Sequence, residues 1–222
     1  RIFTPEEFGT IEMFAIIGGM LSIIMTMGLD SAQSYYFMEA KNKGTHDTKT
    51  ITTSIVQLRI ILGIGVISIV SIFSPFLLDF AFNTSLPVKY LIIVSLSTFF
   101  ANLVSQSLEI FRLIYKPWKY ITLSFIQTFL NIGFILYFTY IQNMGIEGYL
   151  LGGMIGMFIS MVMGWVATRN YRYWIKIEIG LWRDFLKFGL PLLPAGLMIW
   201  IMSASDRWFV MNMLGAAEVG IY

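Results

Sequence analysis

Four carboxamide side chains stand inside long apolar stretches of this chain, at spacings that suit binding chemistry. Gln127 and Asn131 are four residues apart, and so are Asn102 and Gln106. Residues four apart lie on one face of a helix, so each pair would line one side of a helix. Polar groups are costly in a membrane and are therefore often functional there. Two interpretations stay open, namely a polar lining for a substrate path and hydrogen bonds between helices.

Three charged residues stand at or within the same stretches. The guanidinium of Arg59 can hold phosphate oxygens in a fork, which the point charge of Lys does less well; the open alternative is that Arg59 extends to lipid phosphates. Asp206 and Arg207 are neighbours about 100° apart on a helix, so we expect each to find a partner on another helix, in water or at lipid headgroups. The candidate substrate-binding residues are therefore Arg59, Gln127, Asn131, Asp206 and Arg207.

The chain offers little for covalent or metal chemistry. It contains no Cys, which removes thiolate ligands and cysteine nucleophiles. Its single His, His46, stands beside Asp47 in a Lys-rich stretch, as a solvated loop residue does. An enzyme would need a base, a nucleophile or a metal site, and no carboxylates have the spacing of metal ligands. We expect no enzymatic activity, no cofactor and no bound metal.

The composition places these residues in a membrane protein. Of 222 residues, 57% are hydrophobic and 13% are charged, and the mean hydropathy is +0.73. A soluble domain carries about 25% charged residues, so this chain could not cover a water-facing surface. The soluble, disordered and coiled-coil classes are thereby excluded, and a net charge of +2 is too small to indicate a nucleic-acid partner.

Charge-free stretches predict six transmembrane helices. A helix needs about 20 apolar residues to cross the hydrocarbon core. Stretches of about this length cover residues 13–29, 60–78, 90–108, 120–146, 148–168 and 188–205. The period-2 polarity of barrel strands is absent. The expected fold class is an all-α polytopic membrane protein with six transmembrane helices.

Lysine and arginine alternate between the two sides of these helices. Loops 39–49, 109–119 and 169–187 hold three, three and five of them, against Arg1 and Lys89 on the other side. Because Lys and Arg are enriched in cytoplasmic loops, we expect these three loops to face the cytoplasm. The last loop also carries apolar residues at helical spacing, which predicts a short interfacial helix leading into the sixth span. It is the best domain boundary in the chain.

The two ends of the chain resemble one another. Glu7 and Gly9 align with Glu218 and Gly220 at an offset of 211. An even number of predicted spans separates the two segments, so both would lie on the outer side in the same orientation. A unit of six helices repeated in parallel, as transporters use, would explain the match; coincidence is the alternative. Since neither end of the chain has the features of a terminus, we expect a fragment of a longer protein.

Four segments resemble a known family. Residues 4–9 (TPEEFG) resemble the signature after the first helix of the Wzx-type polysaccharide-biosynthesis flippases, which export lipid-linked oligosaccharides. Further family segments are similar to residues 28–32 (GLDSA), 188–194 (FGLPLLP) with Asp206 and Arg207, and 218–222 (EVGIY). Family members often carry Arg shortly after the second segment, where this chain has residues 33–36 (QSYY), so we expect no arginine–phosphate contact from that stretch.

The resemblance implies a two-lobe fold similar to that of the multidrug and toxic-compound extrusion (MATE) transporters, with two six-helix bundles around a V-shaped cavity. Helices two to seven would be present. Residues 1–168 would form a first lobe without its first helix, residues 169–187 a cytoplasmic interfacial linker, and residues 188–222 the first helix and outer turn of the second lobe.

The function implied by the resemblance is transport of undecaprenyl-diphosphate-linked oligosaccharide units by alternating access, for polysaccharide or O-antigen synthesis. The implied location is the cytoplasmic membrane of a bacterium or archaeon. The implied partners are the lipid-linked glycan, membrane lipid, and polysaccharide polymerase and chain-length proteins. A cation-coupled multidrug extruder of the same superfamily, a membrane-embedded transferase of cell-envelope synthesis and a non-transporting scaffold stay open as alternatives.

The predicted sidedness can be tested by cysteine labelling, because the chain has no native Cys. In intact cells, Lys43→Cys and Arg172→Cys should be protected from an externally added, membrane-impermeant maleimide and should react after the cells are opened. Labelling of either position in intact cells would contradict the topology.

Overall fold

The computed structural model describes residues 3–43, 47–82, 86–173 and 178–221; His46 and Tyr222 lie outside them. Within these ranges the secondary structure is helical and contains no strand. Six segments are long and apolar enough to cross a membrane, which confirms the all-α polytopic fold class. The helices are α1 Pro5–Thr26, α2 Leu29–Lys43, α3 Thr48–Phe82, α4 Val88–Leu113, α5 Pro117–Leu136, α6 Gly145–Thr168, α7 Ile179–Gly189, α8 Leu193–Leu214 and α9 Ala216–Ile221.

Helix α1 begins in the TPEEFG segment for a local reason. The hydroxyl of Thr4 accepts a hydrogen bond from the Glu7 N–H at 3.2 Å, and the Glu7 carboxylate accepts one from the Thr4 N–H at 2.9 Å. Pro5 occupies the first helical position, where a missing N–H costs nothing. This capping box satisfies two backbone donors that the helix itself leaves unpaired. The segment therefore starts a helix.

The first helical segment in the structure, Pro5–Asn42, is longer than the predicted apolar stretch 13–29, because α1 is followed directly by α2. Between them, Met27 and Gly28 adopt positive φ angles of 43° and 73°. A Cβ on Gly28 would lie 2.6 Å from the carbonyl oxygen of Gly189, so this turn also brings α2 against the end of α7. The glycine is required both for its backbone angle and for the close approach.

The predicted interfacial helix is α7, and its apolar side packs on the protein. Leu181 and Phe185 are buried among apolar side chains of α2 and α3. A short 3₁₀ turn, Leu190–Leu192, then joins α7 to α8. Pro191 lies in this turn, where its lack of an N–H is tolerated. The last predicted span thus begins in a helix that is already held by α2 and α3.

Helices α5 and α6 approach each other through small residues. A Cβ on Gly148, Gly152 or Gly156 of α6 would lie 2.6 to 2.8 Å from backbone atoms of the segment before it, at Phe138, Phe134 and Asn131. Glycine at every fourth position lets two backbones meet in a membrane. This stripe of small residues on α6 therefore serves helix packing.

The two matching segments at the ends of the chain pack on each other. A Cβ on Gly9 would overlap the carbonyl oxygen of Ala216, and a Cβ on Gly220 would overlap that of Pro5. The offset of 211 that aligns Gly9 with Gly220 also aligns Pro5 with Ala216. The two contacts are therefore related by an approximate two-fold exchange of the segments, the geometry in which one surface meets its own copy.

Substitution of Gly156 should separate α5 from α6. We expect Gly156→Leu to lower the free energy of unfolding by about 2 kcal/mol, because an added side chain in a packed interface forces the backbones apart. Gly133→Leu on α5 is the matched control, since its Cβ would meet nothing within 4 Å. Thermal unfolding in detergent measures both, and equal unfolding temperatures for the two variants would contradict the packing role.

Candidate functional site

Arg59 joins three helices at one end of the bundle. Its Nη2 lies 2.5 Å from Asp30 Oδ1 on α2, and its Nη1 donates to the Asn102 carbonyl oxygen on α4 at 3.4 Å. The Arg59 side chain is 2% exposed, whereas that of Asp30 is 52% exposed. The guanidinium is thus enclosed by the protein and does not lie on the lipid-facing surface, and its carboxylate partner remains open to solvent.

The length of α3 explains how an arginine at the edge of an apolar stretch becomes buried. The helix has 35 residues, so it is about 50 Å long at 1.5 Å per residue. The hydrocarbon core is only about 30 Å thick. Arg59 lies eleven residues after Thr48, where α3 begins, or about 16 Å along the helix. The extra turns before Arg59 pack with α2 and α7, which encloses the guanidinium from that side.

A second polar contact joins α2 and α4, further along both helices than Asp30 and Asn102. Glu109 of α4 accepts a hydrogen bond from the Ser34 hydroxyl of α2 at 2.7 Å and pairs with Arg112 at 2.6 Å. Ser34 is four residues after Asp30, so the two residues share a face of α2. Helices α2 and α4 are therefore linked at two levels by polar groups.

Two fully buried amides accompany these contacts. Neither the nitrogen nor the oxygen of the Gln33 and Gln106 side chains has a hydrogen-bond partner among the described residues, and the same holds for Arg59 Nε. An unsatisfied buried polar group costs roughly 1–3 kcal/mol. This part of the bundle therefore holds more hydrogen-bonding capacity than its own side chains use, which suits a polar ligand or water.

The amides of α5 take a different place. Asn131 Nδ2 donates to the Gly153 carbonyl oxygen at 3.3 Å, and Gln127 Nε2 lies 3.6 Å from Met157 Sδ. Both bonds cross to α6, as the interhelical interpretation expects. Asn131 also borders a cavity of about 250 Å³ between α1, α4, α5 and α6, together with Ser97, Thr98 and Tyr149. Hydroxyl and amide groups line this cavity, and none of its lining residues in the described ranges is charged.

Asp206 and Arg207 lie on α8. Arg207 Nη1 is 3.6 Å from Glu12 Oε2 on α1, while Asp206 Oδ1 accepts a hydrogen bond from the Arg207 backbone N–H at 2.8 Å. Arg207 thus has a partner on another helix, as expected from the angle between neighbours. On the predicted topology this pair lies toward the outer side and Arg59 toward the inner side.

The five candidate residues therefore occupy three separate places. Arg59 belongs to the inner cluster, Gln127 and Asn131 to the α5–α6 contact, and Asp206 and Arg207 to the α1–α8 contact. Sequence reasoning did not include Gln33, Ser34 and Glu109 among the candidates. The available signal was spacing, since Gln33 and Ser34 follow Asp30 by three and four residues and Glu109 follows Gln106 by three, which places polar side chains on one face. Within the described residues, no cluster of His, Asp or Glu could hold a metal ion.

Comparison with known proteins gives one match. Residues 1–222 match the family described as "Polysaccharide biosynthesis protein". No curated protein and no solved structure matches the chain.

Because Arg59 is buried and Asp30 is exposed, we expect substitutions of these two residues to lower the free energy of unfolding by different amounts. Asp30→Asn should lower the free energy of unfolding by about 3 kcal/mol, because it leaves a buried guanidinium without its counter-charge. Arg59→Met should change it by less than about 1 kcal/mol, since an apolar side chain replaces the buried charge and Asp30 can be hydrated. Unfolding of the purified protein in detergent measures both effects.

Glu109→Gln is the control for this comparison. It also removes a carboxylate from an ion pair, but its partner Arg112 is exposed, so water can solvate the remaining charge and the loss should be below about 1 kcal/mol. If Asp30→Asn were no more harmful than Glu109→Gln or Arg59→Met, burial of Arg59 would not decide the energetics of this cluster.

Proposed function

The chain belongs to the polysaccharide biosynthesis protein family, and from this premise we propose that it flips undecaprenyl-diphosphate-linked oligosaccharides across a bacterial or archaeal cytoplasmic membrane. The family and the six apolar helices make the chain a multi-pass membrane protein with a transporter role, and not an enzyme. The finer assignment to a lipid-linked glycan of polysaccharide or O-antigen synthesis is our proposal. Polysaccharide polymerase and chain-length proteins are its proposed partners.

The observation that carries this proposal is the buried Arg59 with its exposed partner Asp30. A diphosphate bears more negative charge than one carboxylate, and a guanidinium binds phosphate oxygens in a fork. In our proposal the substrate diphosphate competes with Asp30 for Arg59 at the inner side. Within the described residues, Arg59 Nε and the buried amides of Gln33 and Gln106 have unused donors, which further phosphate oxygens would satisfy.

Because these donors are buried, α2, α3 and α4 must part before a substrate reaches them. Movement of this kind is what alternating access requires. Asp30 would keep the guanidinium paired while no substrate is present, which avoids an isolated buried charge. The ion pair would thus be exchanged for a substrate contact in one step.

The remaining candidate residues suit later parts of the path. Gln127 and Asn131, with the uncharged polar lining of the 250 Å³ cavity, offer amide and hydroxyl groups of the kind that bind sugar hydroxyls. Asp206 and Arg207 lie where the substrate would leave on the outer side. We propose substrate contacts for all four residues, in addition to their roles between helices.

The two-lobe, MATE-like arrangement is likewise a proposal. Residues 1–168 would belong to the first lobe, 169–187 to the linker and 188–222 to the start of the second lobe. The two-fold exchange of contacts around Gly9 and Gly220 supports it, because equivalent segments of two repeated lobes would meet in this way. On the predicted topology, this contact closes the outer side.

The test is transport by the full-length protein in proteoliposomes, with an undecaprenyl-diphosphate-linked oligosaccharide on one side. Arg59→Ala should lower the flipping rate about tenfold or more, because a hydrogen bond to a charged group contributes about 1.5–3 kcal/mol. Arg59→Lys retains the charge without the fork, and its rate should fall between those of the wild type and Arg59→Ala.

Arg183→Ala is the control, since Arg183 is an exposed arginine on α7. It should flip at the wild-type rate. Wild-type flipping by Arg59→Ala at equal membrane abundance would refute the binding role, and export of a cationic drug without glycan flipping would favour the multidrug extruder.

A further inference from the structure

A lateral groove opens where α5 begins and α6 ends, away from the Arg59 cluster. It has a volume of about 360 Å³. Its floor is formed by Phe111 and Leu123, which are both buried, and Ile126 and Met163 also line it. Trp118 and Lys119 lie in the first turn of α5 and complete the lining. The groove is thus apolar inside, and Lys119 is the one charged residue among the described residues that line it.

The groove exists because the backbones of α5 and α6 do not stay in contact over the whole length of the two helices. At Gly152 and Gly156, a Cβ would meet the backbone of α5. At Gly164, two turns further along α6, the nearest atoms are side-chain atoms of Ser107 and Leu123, at 3.0 and 3.5 Å. The two helices therefore diverge toward the ends that the topology places at the inner leaflet. Because α5 is the least buried of the six spans, the opening faces laterally, toward lipid.

The chemistry of the opening indicates its occupant. Lys119 is exposed and forms no ion pair with another described residue, so its ammonium is available to an anion. Trp118 is 79% exposed, as tryptophans at the headgroup level of a membrane are. Thr122 also lines the groove, and its hydroxyl donates a hydrogen bond to the Trp118 carbonyl oxygen. The donor of this side chain is therefore already used within α5. An apolar chain attached to a phosphate matches this arrangement.

We propose that this groove binds one anionic glycerophospholipid of the inner leaflet. One acyl chain lies along Phe111 and Leu123, and the headgroup phosphate pairs with Lys119. A zwitterionic lipid carries its own cation beside the phosphate and so gains less from Lys119. Lipid bound here fills the space between α5 and α6 and supports their packing. This inference does not depend on the proposed transport function.

Native mass spectrometry of the full-length protein in detergent tests the site, with phosphatidylglycerol and phosphatidylcholine of the same acyl chains as probes. Wild-type protein should retain one phosphatidylglycerol more tightly than any phosphatidylcholine. Lys119→Gln should weaken phosphatidylglycerol binding about fivefold, the effect of one basic residue at a lipid surface, and should leave phosphatidylcholine binding unchanged. Ala167→Trp, which fills the groove from an exposed lining position, should abolish this binding of both lipids.

Two controls separate the groove from general lipid contact. Lys116→Gln removes a nearby lysine that already contacts Tyr171, and Val166→Phe enlarges an exposed residue of α6 that does not line the groove. Both should bind lipid as the wild type does, and the unfolding temperatures of all variants show that they are folded. Unchanged phosphatidylglycerol binding in Lys119→Gln or in Ala167→Trp would overturn the proposal, and so would tighter binding of an undecaprenyl phosphate, which would assign the groove to a polyprenyl tail.

Discussion

Close approach of helix backbones at glycine is the constraint on which the rest of this structure depends. Inside a membrane, helices gain nothing from hiding apolar surface, because lipid tails are as apolar as leucine, so they associate through tight contact. Gly152 and Gly156 allow this between α5 and α6, Gly28 between α2 and α7, and Gly9 and Gly220 between α1 and α9. A side chain at any of them would meet backbone, which cannot move aside as a flexible side chain does.

Tight packing by small residues also decides where polar groups are tolerated. Once α2, α3 and α4 are held together, Arg59 is removed from lipid and must be compensated by Asp30 and the Asn102 carbonyl. The compensation is incomplete, because Arg59 Nε has no hydrogen-bond partner in the part of the chain that the structure describes, and the same holds for the amides of Gln33 and Gln106. Such groups lower the stability of one packed state relative to a state in which water or a ligand reaches them. A protein that must open and close benefits from this balance, as the proposed transport cycle requires.

On the predicted topology, both ends of the bundle combine backbone contact with ion pairs, but only the inner end buries the cation of its ion pair among the described residues. The outer end is held by backbone contact at Gly9 and Gly220 and by the partly exposed ion pair of Arg207 with Glu12. The inner end is held by backbone contact at Gly28 and Gly189 and by the buried Arg59 with Asp30, an ion pair that an anionic substrate would replace in the proposed cycle. In the proposed cycle the inner side responds to substrate charge, while the outer side responds to how closely the two lobes approach. Where α5 and α6 diverge, a lateral groove opens toward lipid, separate from both ends.

Much of this could be derived from the sequence because a membrane imposes simple rules. Bilayer thickness sets the length of apolar stretches, so the six spans can be found from the positions of apolar and charged residues along the sequence. The helix cap formed by Thr4 and Glu7 is likewise a local sequence signal. Helical periodicity also indicates which residues share a face, as Gln127 and Asn131 do. It does not say which neighbouring helix that face meets. The pairing of Arg59 with Asp30, 29 residues away, the burial of Gln33 and the separation of the five candidates into three places were decided only by tertiary packing, because they depend on contacts between helices that no local pattern encodes.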